Sequence, residues 1–367
     1  MNAAFAFVLL CGCTDPSGPS GDSVVKWAFE MGYTGADPFA DDEIAAVTTA
    51  FSNKLFVVSA TDGKLRWQRS FEIPAGLYTS GMPYANILAF EDMLIVPAYN
   101  LFALDRATGA VRWTFAREGD LPGYRNAAIG GGMAFASGRR LYALDARSGA
   151  LRWEFDVGEE PFRPVYSHGI LYLTTKGVQG GSLRAGHAFA LEAATGQVIW
   201  SFPLPDATDA PWLGGSGGLA GLTAELVVVP SRNGRVYALD RATGALRWEH
   251  RGRGPYDAGA IVGNVVVVGG DATYLEALDL LTGRLLWEKR LGGYIDKISP
   301  GPGVILVNVG RLFAFDETGQ LRWAYGGADR DEIAFMGRPL YRSKTIFLGG
   351  TWPVEQRPGL FALDVPF

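Results

Sequence analysis

One phrase recurs along the chain and constrains what it can fold into. LFALDRATGAVRWTF at 101–115 returns as LYALDARSGALRWEF at 141–155 and as VYALDRATGALRWEH at 236–250. Each copy is an alternating apolar run, an acidic residue, a Thr-Gly or Ser-Gly turn, and a second alternating run carrying one Trp. Further copies run from Ala190-Leu191-Glu192 through Thr195-Gly196 to Trp200, from Ala277-Leu278-Asp279 through Thr282-Gly283 to Trp287, and from Ala314-Phe315-Asp316 through Thr318-Gly319 to Trp323. The first full copy is degenerate: Ser59 takes the acidic position and Asp62-Gly63 the turn before Trp67. In all seven, the residue before Gly lies five positions before Trp.

The alternation predicts two antiparallel strands joined by the turn. The acid can accept turn N–H groups and Gly supplies a positive φ. The constant interval from turn to Trp fixes which strand face bears the indole. Burying one such ring removes roughly 150–250 Å² from water, an upper bound of about 4–6 kcal/mol. Upstream of the hairpins, AAIGGGMAFASG (127–138), VYSHGILYLTT (165–175) and AIVGNVVVVGG (260–270) each read as strand, turn, strand, so a unit holds four strands. Successive Trp residues, Trp27, Trp67, Trp113, Trp153, Trp200, Trp248, Trp287 and Trp323, stand 36 to 48 residues apart. The mean of about 42 is the period of a four-stranded propeller blade. The last motif, Leu360-Phe361-Ala362-Leu363-Asp364, is a third strand with no fourth after it, whereas Val24-Val25-Lys26-Trp27-Ala28-Phe29 is a fourth strand with no first three. The expected fold is therefore all-β: an eight-bladed β-propeller of four-stranded antiparallel blades, with the N-terminal strand completing the last blade and leaving no open edge.

Composition removes several alternatives. The 367 residues are 48% hydrophobic and 12% aromatic, enough for a large core, and the net charge of −5 is spread without a basic arm, which argues against nucleic-acid binding. Cys11 and Cys13 are the only cysteines, so a disulfide framework and a cysteine metal site are excluded. Residues 3–10 form an apolar run too short to span a bilayer, followed by small residues and a Pro/Gly/Ser/Asp linker, as at the end of a secretory signal. Leu10-Cys11-Gly12-Cys13 resembles the bacterial lipobox, which would make Cys13 the lipidated residue; the absence of Lys or Arg before the apolar run is a departure from such signals. The expected organisation is 1–13 signal segment, 14–22 linker, and 23–367 a single propeller.

The Ala-x-Asp-x-x-Thr-Gly-x-x-x-Trp pattern resembles the tryptophan-docking motif of the pyrroloquinoline-quinone-like propeller repeat, over essentially all of 23–367. The resemblance implies that the eight Trp residues lock adjacent blades. It has two branches. Quinoprotein dehydrogenases oxidise alcohols or sugars with the quinone and calcium. BamB-type lipoproteins of the outer-membrane barrel-assembly machinery are eight-bladed propellers on a lipid anchor with no cofactor, and the length, blade count and N-terminus here look like that second branch. No Cys-Cys pair of the kind used by the dehydrogenases stands after the linker, and nearly every repeat Asp has a turn duty.

No other constellation points to catalysis. His168 lies in a Ser-His-Gly turn, His187 before a third strand, and His250 in a loop after Trp248; they share no ligand spacing and read as solvated histidines. Gly214-Gly215-Ser216-Gly217-Gly218 opens a strand rather than a helix, unlike a phosphate loop. Function is expected on the rim bearing the long, variable connections: 71–84, 116–125, 175–187, 203–218 and 349–359. Aromatics outside the docking positions (Tyr78, Tyr124, Trp212, Tyr256, Tyr274, Tyr294, Trp352) and arginines (Arg125, Arg163, Arg184, Arg253, Arg357) suit protein contacts there. Arg125, Arg163, Asp257, Asp296, Lys297 and Glu332 stand near the starts of innermost strands, at the mouth of a central channel. The expectation is a non-catalytic, cofactor-free scaffold binding envelope protein partners, lipid-anchored and facing the periplasm. By analogy with lipoprotein sorting, Asp15 one place removed from the +2 position favours the outer membrane. The alternatives are a quinoprotein-type oxidoreductase and an envelope ligand sensor.

Overall fold

The structure, a computed structural model, describes residues 24–366 apart from 33–35, 50–52, 73–85, 118–123, 125, 157, 180–181, 185, 206–217, 272, 327–332 and 353–356. Among the described residues every regular element is a β-strand, and the strands form eight antiparallel sheets. Seven sheets are consecutive in the chain. In blade 3, for example, Asn126–Gly130, Met133–Ser137, Leu141–Asp145 and Leu151–Phe155 lie in that order. Blade 4 (Glu160–Ser167, Ile170–Gln179, Gly186–Glu192, Val198–Leu204) carries a fifth strand, Ser182–Arg184, which pairs with the far end of its second strand and turns the 175–187 insertion into a hairpin extension.

The eighth blade is composite. Ala334–Arg342, Thr345–Thr351 and Pro358–Asp364 are completed by Val25–Glu30, which lies antiparallel to the third strand with Ala28 opposite Phe361 and Phe29 opposite Leu360. First strands touch between blades 2 and 3, 3 and 4, 5 and 6, 6 and 7, 7 and 8, and 8 and 1, so they form the inner ring around the axis.

The core is not one mass at the centre. Buried apolar residues fall into eight clusters, and each joins two neighbouring blades: blades 1 and 2 share Ile44, Leu55, Leu94 and Leu104, while blades 7 and 8 share Leu306, Leu312, Ile346 and Leu348. Middle strands such as Met93–Pro97 and Leu226–Pro230 are buried along their whole length because both faces meet a neighbouring blade.

The docking geometry repeats around the ring. All motif Trp residues but one sit opposite an Ala of their own third strand, such as Ala103 for Trp113, Ala143 for Trp153, Ala238 for Trp248 and Ala362 for Trp27; Trp67 sits opposite Val57. Its indole N–H then donates to the next blade, to the carbonyl of the residue after the motif acid. The acceptors are Ala60 for Trp27 (2.9 Å), Arg106 for Trp67 (2.9 Å), Ala146 for Trp113 (3.1 Å), Ala193 for Trp153 (3.0 Å), Arg241 for Trp200 (3.0 Å), Leu280 for Trp248 (3.0 Å) and Glu317 for Trp287 (2.8 Å). The ring lies flat against the turn glycine of that same blade, where a Cβ would come within 2.4–2.8 Å. At the seam of blades 7 and 8 the third strand ends at Asp364; there Trp323 packs in a cluster with Phe335, Phe361 and Val365 and stacks on Tyr325.

Candidate functional site: the long-loop rim and channel mouth

In this topology the first-to-second and third-to-fourth turns share one rim. The other two kinds of connection share the opposite rim. The repeat acids belong to the first rim and are fully engaged there. Asp105 Oδ1 accepts from the Thr108 backbone N–H and hydroxyl, both at 2.8 Å, and Oδ2 pairs with Arg112. Asp145 does the same with Ser148 and Arg152, and Asp240 with Thr243 and Arg247. The arginine first, then the turn donors, hold Asp105 and Asp240 down to about 2.

At the opposite rim, five first strands bring charged groups to the channel mouth. Asp37 precedes Phe39–Ala40 of blade 1, Arg163 lies within Glu160–Ser167 of blade 4, and Asp257 within Tyr256–Val262 of blade 6. Asp296 and Lys297 precede Ile298–Gly301 of blade 7, and Arg338 lies within Ala334–Arg342 of blade 8. Arg163 reaches from blade 4 to blade 1: its Nη2 is 3.7 Å from Asp37 Oδ2, and Arg338 Nε is 3.9 Å from the same oxygen. Burial first, then the Arg163 charge, bring Arg338 down to about 10, against the pull of Asp37 and Asp296. Lys297 pairs with its neighbour Asp296 at 2.7 Å. Beside them Arg232 bridges Asp257 and Asp271. Burial, then Asp257, pushes the adjacent Tyr294 hydroxyl well above its ordinary range. Sequence reading missed Asp37, Arg232 and Arg338, which have no counterpart in the repeat.

Several expected contact residues are not available on this rim. Tyr256 is a correction: it is 2% exposed, in the core between blades 5 and 6, and its hydroxyl faces Glu276. Tyr124 is likewise buried. Trp352 is half-buried, its ring 4.5 Å from that of Phe361. Arg253 is committed to Glu288 and stacks over Tyr274, and Arg357 pairs with Glu30. Cys13, Tyr78, Arg125, Trp212, the Gly214–Gly217 stretch and Glu332 lie outside the described residues, as does the Arg184 side chain.

Two histidines also depart from the solvated-loop reading. His250 is in the strand Leu246–Arg251, and its Nε2 is 3.2 Å from Glu276 of the next blade. Burial alone would raise Glu276; His250, the Arg253 N–H and the Tyr256 hydroxyl outweigh it and hold the carboxyl below its ordinary value. His187 stands in a strand with Nδ1 2.9 Å from Glu159, which also accepts from the Thr175 hydroxyl. His168 is in its turn, beside the Ser167 hydroxyl at 2.9 Å.

A quinone-and-calcium centre needs free acidic ligands and an acidic base. Among the described residues no three His, Cys, Asp or Glu side chains are grouped to hold a metal ion. At the channel mouth Arg163 and Arg338 lie beside Asp37, and Lys297 is paired with Asp296. The described residues do not fit such a centre.

The sequence profile of a family described as outer membrane protein assembly factor BamB matches residues 98–255 and 184–351. No curated protein sequence matches the chain. Among solved structures, BamB from Moraxella catarrhalis aligns with a TM-score of 0.66 at 15% identity, over 92% of this chain and 96% of that one. The computationally designed protein Ika8 aligns with a TM-score of 0.70 at 14% identity, over 92% and 99%. Quinohemoprotein alcohol dehydrogenase ADHIIG from Pseudomonas putida HK5 aligns with a TM-score of 0.68 at 13% identity, over 93% of this chain and 76% of the enzyme. At these identities the structural likenesses speak to the fold alone. The two profile matches overlap and together run from 98 to 351, well over half the sequence, and on that ground the chain belongs to the outer membrane protein assembly factor BamB family.

Proposed function

We propose that this chain is a non-catalytic lipoprotein of the bacterial envelope, acylated at Cys13 and facing the periplasm, whose long-loop rim holds protein partners during the assembly of outer-membrane β-barrels. Family membership carries the reading. The rim chemistry supports it: charged groups outside the repeat gather at one end of the ring, while the acids of the repeat are consumed in turns at the other. Arg163, Asp257, Asp296 and Lys297 are the described contact candidates, with Arg125 and Trp212 on the same rim by sequence.

Photo-crosslinking in intact membranes tests this. A benzophenone side chain at Tyr294, 45% exposed on the long-loop rim, is expected to capture a barrel-assembly component, and one at Ala110 in the opposite turn is not. Capture from Ala110 alone, or from neither, would defeat the proposal. Fatty-acid labelling that persists in Cys13→Ser would defeat the anchor assignment.

A second reading draws on the likeness to a quinohemoprotein alcohol dehydrogenase. It predicts dye reduction by the protein when pyrroloquinoline quinone, calcium and an alcohol are supplied. Turnover there would replace the scaffold reading.

A further inference from the structure

Blades 4 and 8 face each other across the axis of an eight-bladed ring, and they share a feature absent from the repeat. Each first strand carries an Arg-Pro pair, Arg163-Pro164 and Arg338-Pro339, inside an irregularity of the ladder: between Phe162 and Val165, and between Met336 and Leu340. Pro cannot donate to the ladder, so the strand bulges there, and a bulge re-aims the side chain beside it. A positive φ, at Arg163 itself (45°) and at Gly337 (78°), completes each bulge. Both guanidinium groups thereby approach one oxygen of Asp37.

Their charge balance is incomplete. The two approaches, 3.7 and 3.9 Å, are ion-pair distances too long for hydrogen bonds, and the Nε of each arginine has no hydrogen-bond partner among the described residues. The other Asp37 oxygen accepts the Arg338 backbone N–H at 3.2 Å. Lys297 and Asp296 neutralise each other. In the adjoining group the ratio is reversed, with Arg232 serving both Asp257 and Asp271. Two like charges sharing one carboxylate, with buried donors unused, form an unfavourable arrangement that an added anion relieves. Arg163 is also held in place, its stem against Gly218, where a Cβ would meet Cδ at 3.0 Å, and its guanidinium beside the Phe162 ring.

We propose that the long-loop mouth of the channel binds a carboxylate between Arg163 and Arg338. A planar carboxylate matches the guanidinium fork, and its single charge matches the excess of two arginines over one carboxylate within the Arg163–Arg338–Asp37 group, which a phosphate dianion would overshoot. The carboxylate comes from a small free acid or from an acidic side chain of a bound polypeptide. The proposal stands independently of the barrel-assembly reading.

The test follows the side-chain Nε–H signals of Arg163 and Arg338 by NMR in the full chain. Acetate is titrated at constant ionic strength against chloride, and a blocked Ala-Glu-Ala peptide in parallel. Saturable shifts of both signals are expected. Arg163→Gln and Arg338→Gln should each weaken binding about tenfold. Asp37→Asn, which removes the competing internal carboxylate, should tighten it. Lys297→Gln, which releases Asp296 toward the site, should weaken it, and it carries the test along with Asp37→Asn if the arginine variants do not fold. Saturation by both probes assigns the site to free acids, and saturation by the peptide alone assigns it to a polypeptide side chain. Shifts that stay linear for both probes, an affinity unmoved by Asp37→Asn and Lys297→Gln, or tighter binding of phosphate than of either probe would overturn the proposal.

Discussion

At the residue scale the fold rests on one contact repeated: an indole wedged between a small cross-strand neighbour and the turn glycine of the next blade. Gly149 has φ +72°, and a Cβ there would lie 2.7 Å from the Trp113 ring. Gly132 has φ +76° with nothing within 4 Å. Alanine at Gly132 should cost only the backbone strain, about 1–3 kcal/mol, whereas Gly149→Ala should cost that and the displaced ring besides. Urea denaturation of the two variants measures the difference, and equal losses would mean that the ring contact adds nothing. Trp153→Phe should cost about 1–3 kcal/mol more than its lost area, because the Ala193 carbonyl loses its indole donor. These contacts were legible in the sequence because the turn-to-Trp interval fixes them locally. The partner of each ring was not, since the acceptor carbonyl lies in the following repeat, 30 to 41 positions away.

At the scale of the strand and its turn, the acidic residues are stabilising only when ionised. The folded values of Asp105 and Asp240, near 2, lie below the ordinary carboxylate value, so both groups bind protons more readily in the unfolded chain. Their contribution is therefore complete above about pH 4 and is lost as the pH falls through about 2. Urea midpoints should drop across that window, and Asp105→Asn should flatten the drop; an unchanged slope would refute the assignment. The alternation of LFALD and its kin made the hairpins readable, but it gave no warning of the bulges in the first strands of blades 4 and 8. Arg-Pro inside an otherwise apolar run was the available signal for Arg163 and Arg338. Asp37, standing just before a two-residue strand, offered none. His250 was misplaced into a loop because strand Leu246–Arg251 runs past its last apolar residue, sustained by the bond from His250 to Glu276 in the neighbouring blade.

At the scale of the molecule, eight seam cores replace a single core, so stability depends on every seam being closed. Removing residues 24–30 should leave Pro358–Asp364 as a bare edge and strip Trp27 from blade 1. The expected result is a lower urea midpoint and self-association seen by sedimentation; a monomer of unchanged midpoint would show the closing strand to be dispensable. Trp27→Ala alone should cost about 3–5 kcal/mol. The chain-end pairing was inferable because the two partial repeats complement each other. The charged mouth was legible only as a list of candidates, since which first strands meet across the axis is set by the closed ring. The composite blade also has a kinetic consequence. Val25–Glu30 is the first of the described strands in the chain, yet its ladder partner among them, Pro358–Asp364, is the last. During synthesis the nascent polypeptide must carry that stretch unsatisfied until the partner strand follows, so a product truncated before it is left as an unlatched arc that chaperones and proteases can distinguish from the closed ring.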